Sequence, residues 1–207
     1  DINAVDGVTL LTVMFWLYYD TLVASDGFYT KGTGFGITAM NDGTTRLVTR
    51  DTNALKYITA VGTLAVGAWA HWATVLNTAG ASADARMKIF KDAVKLALTE
   101  AATHANPLPS NATAVSTMMD DTAAIFADGK MAHLKVWAAE LTEAEVAQEM
   151  NSFRPVRTAN LVLSPRYDDG TAAADYSGNG NHGTVTGALP VDGPPVGGGF
   201  PMQVIAA

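Results

Sequence analysis

The chain has 207 residues, with 13 basic and 20 acidic side chains and a formal net charge of −7. Apolar residues make up 48% and charged residues 16%, which fits a globular domain with a full core rather than a disordered one. The acidic balance argues against nucleic acid and anionic lipid as partners. The absence of cysteine excludes disulfides, thiolate metal sites and thiol nucleophiles.

Val8–Tyr19 is apolar at nearly every position and reads as a buried central strand. Gly34–Met40 and Arg46–Arg50 flank Asn41-Asp42-Gly43 and read as a hairpin. Lys56–Val61 and Gly67–Leu76 are further strands. The long uncharged stretch from Tyr57 to Ala83 is broken by Gly62, Gly67, Gly80 and His71, so it is not expected to insert into a membrane. Arg86–Ala102 keeps a helical spacing at Met87, Phe90, Val94 and Ala97, yet Val94, Leu96 and Leu98 alternate as a strand would. Local pattern leaves both readings standing. Lys130–Trp137 alternates, and Ala132, Leu134 and Val136 are the simpler choice for its core face. Thr142 and Glu145 form a capping box that predicts a helix from about Glu143 to Asn151, with Leu141 and Val146 as a hydrophobic staple. Leu161–Leu163 is a short strand, and Thr184–Thr186 is a candidate for another. Asp-Gly pairs recur at 6–7, 26–27, 42–43, 128–129, 169–170 and 192–193, and each favours a reversal. Many short strands between dense turns predict an all-β sandwich or barrel.

Three segments carry a resemblance. Trp69-Ala70-His71-Trp72-Ala73 looks like a W-x-H-x-A strand. Lys88–Ala93 looks like a strand and turn usually written Y-v-D-G. Gly129–Trp137 followed by Leu141–Val146 looks like G-x-I-D-E-V-R-I-W and L-T-x-x-E-I. Together they resemble the laminin-G-like branch of the concanavalin A-like lectin/glucanase superfamily, from about Val8 to Met150. The resemblance implies a two-sheet antiparallel jelly-roll sandwich with one short helix near 143–151, and it tips Arg86–Ala102 towards a hairpin. Asp175-Tyr176-Ser177-Gly178-Asn179-Gly180 onward looks like the family's opening segment, which here follows the helix. A permuted order is implied, as in some bacteriophage virion proteins. The expected organisation is a sandwich over 1–189, with its core at 8–150 and strands of 160–189 packing back. A Gly/Pro-rich arm or linker occupies 190–207.

Chemical motifs are sparse. Gly178-x-Gly180-x-x-Gly183 matches a dinucleotide pattern, but Thr-Val-Thr-Gly follows it where a helix is required, so a surface turn is expected. His71, His104, His133 and His182 show no metal-ligand spacing, and no metal site is assigned; His71 is expected to pack within its sheet. The alternating carboxylates of a glucanase strand are absent. Glu140, Glu143, Glu145 and Glu149 read as a solvated helix face, and Glu100 stands alone. The resemblance does offer a loop site. Asp120 and Asp121 precede a strand where jelly-roll loops carry calcium and ligand, although Ala132 replaces the family's acidic position and leaves no second support for Ca2+. Trp16, Trp69, Trp72 and Trp137 all sit on predicted strands, where core packing is the plainer reading; Trp72 and Trp137 are the candidates for a sugar-stacking surface pair. The function expected is a non-catalytic recognition module for glycan or protein on a cell or virion surface. The alternative is a structural capsid-decoration or fibre protein whose C-terminal arm grips a neighbour, and a weaker one is a glycoside hydrolase.

Overall fold

A computed structural model describes residues 2–21, 27–32, 34–39, 47–52, 54–111, 116–119, 127–167, 172–194, 196 and 203–206, the last four by backbone alone. After a 3-10 turn at Asn3–Val5 come β1 (Leu10–Tyr19), β2 (Gly27–Lys31), β3 (Phe35–Ala39), β4 (Leu47–Asp51), β5 (Ala54–Thr59) and β6 (Trp69–Asn77). Then follow α1 (Ala83–Arg86), β7 (Met87–Lys91), β8 (Val94–Lys95), β9 (Leu98–Glu100), β10 (Ser116–Met118) and β11 (Gly129–Trp137). The chain continues with α2 (Glu143–Met150), β12 (Leu161–Leu163), β13 (Pro165–Arg166), β14 (Ala172–Asp175), β15 (Gly183–Thr184), β16 (Leu189–Asp192) and β17 (Gln203–Ala206).

The larger sheet runs β16-β17-β11-β1-β6-β7-β8, with β12 also on the outer edge of β11; the smaller runs β10-β2-β3-β4-β5-β9. Both are antiparallel. Val13, Phe15, Leu17 and Tyr19 of β1 meet Tyr29, Ile37, Leu47 and Tyr57 of the smaller sheet in one buried cluster. Each such side chain contributes about 1.5–3 kcal/mol of burial. The result is the jelly-roll sandwich that the turn spacing and the resemblance imply.

The larger sheet is covered on its other face as well. Met14, Ala73, Val75, Phe90, Trp137 and Leu161 form a second cluster with Leu141 and Val146, the staple residues of α2. The capping box of α2 is present in both directions, with Thr142 and Glu145 as reciprocal partners.

Arg86–Ala102 resolves into the β7–β8 hairpin. Asp92 and Ala93 have φ of 51° and 62°, the left-handed pair that a two-residue type I′ turn requires. Ala93 stands where glycine would be unstrained. Only α1, four residues long, is helical there.

Three expectations are corrected. The core face of β11 is Met131, Leu134 and Val136, because a bulge sits between the Trp16↔Ala132 and Met14↔Lys135 pairs and turns Ala132 outward. Thr184–Thr186 pairs only over Gly183–Thr184. The stretch given as an arm or linker holds β16 and β17, which pair with each other while β17 pairs with β11 at Lys130↔Ala206 and Met131↔Ile205. An apolar β-hairpin finds its partners on the open half of the β11 edge left beside β12.

Candidate functional site

The bulge in β11 opposes His133 and Leu134 to Phe15 alone. Leu134 joins the core, while His133 turns to the outer face with φ of 50°. A left-handed conformation costs a non-glycine residue roughly 1–2 kcal/mol, so an outlier here invites a functional reading. His133 is 8% exposed, and neither ring nitrogen has a hydrogen-bond partner. Phe153, in the loop after α2, lies edge-on to it at 5.3 Å.

His71 of β6 shares that face. It is 2% exposed, its Nδ1 has no partner, and the Trp16 ring meets it at 5.5 Å. Burial first, then the Lys135 charge, pushes both histidines down to about 3; His133 adds to the effect on His71. Both are neutral at ordinary pH, and each carries one donor and one acceptor nitrogen.

Lys135 fixes the loop that covers them. Its buried ammonium donates to the Glu149 carboxylate at 2.7 Å, to the Glu149 carbonyl at 3.0 Å and to the Ser152 carbonyl at 2.7 Å. The other Glu149 oxygen accepts from the N–H groups of Val156 and Arg157 at 2.8 and 2.7 Å. Phe153 is thereby held in a braced loop, yet it is 43% exposed.

The tail completes the surface. The Arg166 guanidinium lies 4.7 Å from the Phe153 ring centre and 3.9 Å from that of Tyr176, which is 49% exposed. The turn beside Tyr176 is clamped. The Asp175 carboxylate accepts from the N–H groups of Ser164, Ser177 and Asn181, and the Asn179 and Asn181 amides donate to the Leu161 and Val162 carbonyls. This clamp is what Gly178 and Gly180 serve, with φ of 90° and 72°; no helix follows, and the dinucleotide reading is set aside. Elsewhere on the face, Tyr18 and Trp69 meet edge-on at 5.7 Å and Lys130 Nζ lies 4.2 Å over Tyr18.

The residues singled out from sequence lie elsewhere. Trp72 is 1% exposed inside the sandwich, and Trp137 is 0% exposed under α2 with its Nε1 donating to the Arg157 carbonyl. Neither offers a face to a sugar, which corrects the surface-pair reading; Trp16 and Trp69 are the half-exposed ones. Asp120 and Asp121 lie outside the described residues. Glu149, taken for a solvated acid, is buried against Lys135, and Glu100 pairs with Arg86 at 2.8 Å. Among the described residues, no three His, Asp or Glu side chains gather to hold a metal.

Two other arrangements carry less. Thr49 Oγ1, His104 Nε2, His104 Nδ1 and Asp51 Oδ2 form a hydroxyl–imidazole–carboxylate relay with 3.0 Å at each step. All three residues are at most 4% exposed, and Lys56 and the Ala105 N–H also hold Asp51, so no substrate reaches the hydroxyl. A cleft of about 360 Å³ between β8 and β9 is lined by Tyr57, Asp84, Lys95, Leu96 and Glu100. Its polar groups are spent on one another: Tyr57 donates to Glu100, Arg86 bonds both, and Lys95 pairs with Asp84.

No curated protein sequence matches the chain. Among solved structures, a Bacteroides ovatus protein provisionally described as carbohydrate-binding has a TM-score of 0.66 at 15% identity, covering 83% of this chain and 50% of its own. The chain thus spans half the length of that protein. A heptameric pentraxin of Limulus polyphemus (TM-score 0.49, 16% identity, 69% of this chain and 70% of its own) is also similar. So is domain 4 of a Geobacillus stearothermophilus arabinanase, in complex with arabinotriose (0.49, 16%, 70% and 68%). At these identities the likeness is one of fold. The family model of the concanavalin A-like lectin/glucanases superfamily matches residues 3–147, and with that span of the sequence and the two-sheet architecture in agreement, the chain belongs to that superfamily.

Proposed function

We propose that the protein is a non-catalytic carbohydrate-recognition domain that receives glycan on the outer face of its larger sheet, at a cell or virion surface. The observation that carries this reading is the pair of exposed aromatic rings, Phe153 and Tyr176, both set against the Arg166 guanidinium. Aromatic faces stack on the C–H face of a pyranose, and a fixed array of N–H donors beside them reads its oxygens. Six of the described carboxylates are poorly suited to serve as a glycosidic general acid. Asp51, Asp84, Glu100, Glu140, Glu145 and Asp175 are all held below the ordinary carboxylate range. Burial raises Asp51, but Lys56, the Ala105 N–H and His104 outweigh it. A general acid for glycoside cleavage needs the opposite shift.

The test is retention of the chain on a glycan array, repeated with Phe153→Ala and Tyr176→Ala. Retention lost in both variants, with the fold intact by circular dichroism, supports the reading. A wild-type protein that retains no glycan, or variants that bind as wild type, overturn it.

A structural role in a particle is the second reading, and the tail favours it. The contact of β17 with β11 is short, so the hairpin has the means to dock on a neighbour's β11 edge. Light scattering decides: an oligomer that dissociates when residues 189–207 are removed supports it, and a monomer contradicts it.

A further inference from the structure

Seven of the described cations in this acidic chain are neutralised. Lys31, Lys56, Arg86, Lys88, Lys95, Lys135 and Arg157 each stand beside a carboxylate. Among the described residues Lys91, Lys130, Arg154 and Arg166 have no such partner, and on the outer face two of them, Arg166 and Lys130, are set against aromatic rings. Among the described residues their neighbours are aromatic rings: Phe153 and Tyr176 for Arg166, and Tyr18 for Lys130. Arg166 thus sits beside two exposed aromatic rings with no carboxylate partner among the described residues. Contacts of 3.9 Å to the Tyr176 ring centre and 4.7 Å to that of Phe153 restrict the movement of the Arg166 guanidinium. Its N–H fork is therefore preorganised for a planar two-oxygen acceptor, which a carboxylate supplies and a hydroxyl does not.

Beside it lies the unpartnered imidazole of His133, more than nine-tenths buried beneath Phe153. Stranded donors and acceptors of this kind are costly to bury, and a ligand hydroxyl satisfies both roles of a neutral ring. A metal ion is the poorer occupant, because the Lys135 ammonium faces the same histidines.

Resting on the carbohydrate reading above, we infer that the ligand is an acidic sugar, a uronate- or sialate-type residue. Its carboxylate pairs with Arg166, its ring stacks on Tyr176 and Phe153, and a hydroxyl reaches His133 once Phe153 turns aside.

Calorimetry with matched probes tests this. Trigalacturonate is compared with galactotriose, and sialyllactose with lactose, using wild type, Arg166→Gln, Arg166→Lys and His133→Asn; asparagine tolerates the positive φ of position 133. The acidic member of each pair is expected to bind about tenfold tighter, with the gap closed by Arg166→Gln and narrowed by Arg166→Lys, which keeps charge but loses the fork. His133→Asn is expected to weaken acidic and neutral sugars alike. Equal affinity within the pairs, or a gap that survives Arg166→Gln in a folded variant, overturns the acidic specificity and leaves carbohydrate recognition standing. Polyglutamate binding as tightly as trigalacturonate also overturns it, since charge alone then suffices. No binding of any probe, together with a blank array, overturns both readings.

Discussion

The outer face of the larger sheet has two halves built from the same strands. Under α2 it is dry and closed: Met14, Phe90, Trp137 and Val146 pack together, and the Trp137 N–H and the Thr12 hydroxyl both find carbonyl partners. One or two residues along β1, β6 and β11, the cover changes to a loop and the tail. There, polar nitrogens of His71 and His133 are buried without partners, and the Phe153 and Tyr176 side chains are exposed beside Arg166. The first half is core in every respect. The second keeps unsatisfied groups that a fold optimised for stability alone would have replaced, which is the pattern of a surface kept for a partner.

Paired truncations should separate the halves most sharply. Trp137→Ala is expected to cost about 3–5 kcal/mol in urea unfolding, as a large buried aromatic does. Phe153→Ala should cost about 1 kcal/mol or less and act instead on ligand affinity. Comparable losses at the two sites would erase the distinction drawn between them. Lys135→Met should also approach 3–5 kcal/mol, because it strands the buried Glu149 carboxylate. Adding Glu149→Gln to it should recover part of the loss while the Val156 and Arg157 N–H groups keep an acceptor; no recovery would show that the pair does not brace the loop.

Acid should act mainly through the open half. Burial lowers His71 and His133 to about 3 and His104, against the pull of Asp51, to about 4. The unfolded chain binds those protons from about pH 6.5, so stability is full above that value and falls as pH drops towards the folded values. Three such groups together amount to about 4 kcal/mol at pH 5.5. His133→Asn should remove about a third of this loss, seen as a flatter dependence of the urea midpoint on pH. An unchanged slope would mean that His133 titrates normally. The smallest effect is expected outside both halves. Ala93→Gly relieves the left-handed turn residue and should gain about 0.5–1 kcal/mol without touching ligand binding.

The local signals that sequence carries well are the ones with short-range physics. The Thr142–Glu145 cap, the Leu141–Val146 staple and the apolar run of β1 each declare their element within a few residues. The β11 bulge does not, because Met131-Ala132-His133-Leu134 keeps the alternation of a regular strand and the extra residue is set by the register against Phe15. Tryptophan burial was equally opaque. Trp72 faces the space between the sheets, and once α2 covers one half of the outer face, period-two alternation no longer marks Trp137 as surface, so both are interior. The site residues Phe153, Arg166 and Tyr176 fall in a loop, a two-residue strand and a turn. Only the packing of the tail on β11 brings them together, and no spacing in the chain announces it.

The most direct measurement is two-dimensional NMR of the protein titrated with trigalacturonate, following the imidazole, aromatic and guanidinium resonances. The account predicts that His133, Phe153, Arg166 and Tyr176 shift together and saturably while His104, sealed in its relay, does not move. Shifts that leave those four residues unperturbed and gather around Asp120 and Asp121 would contradict it.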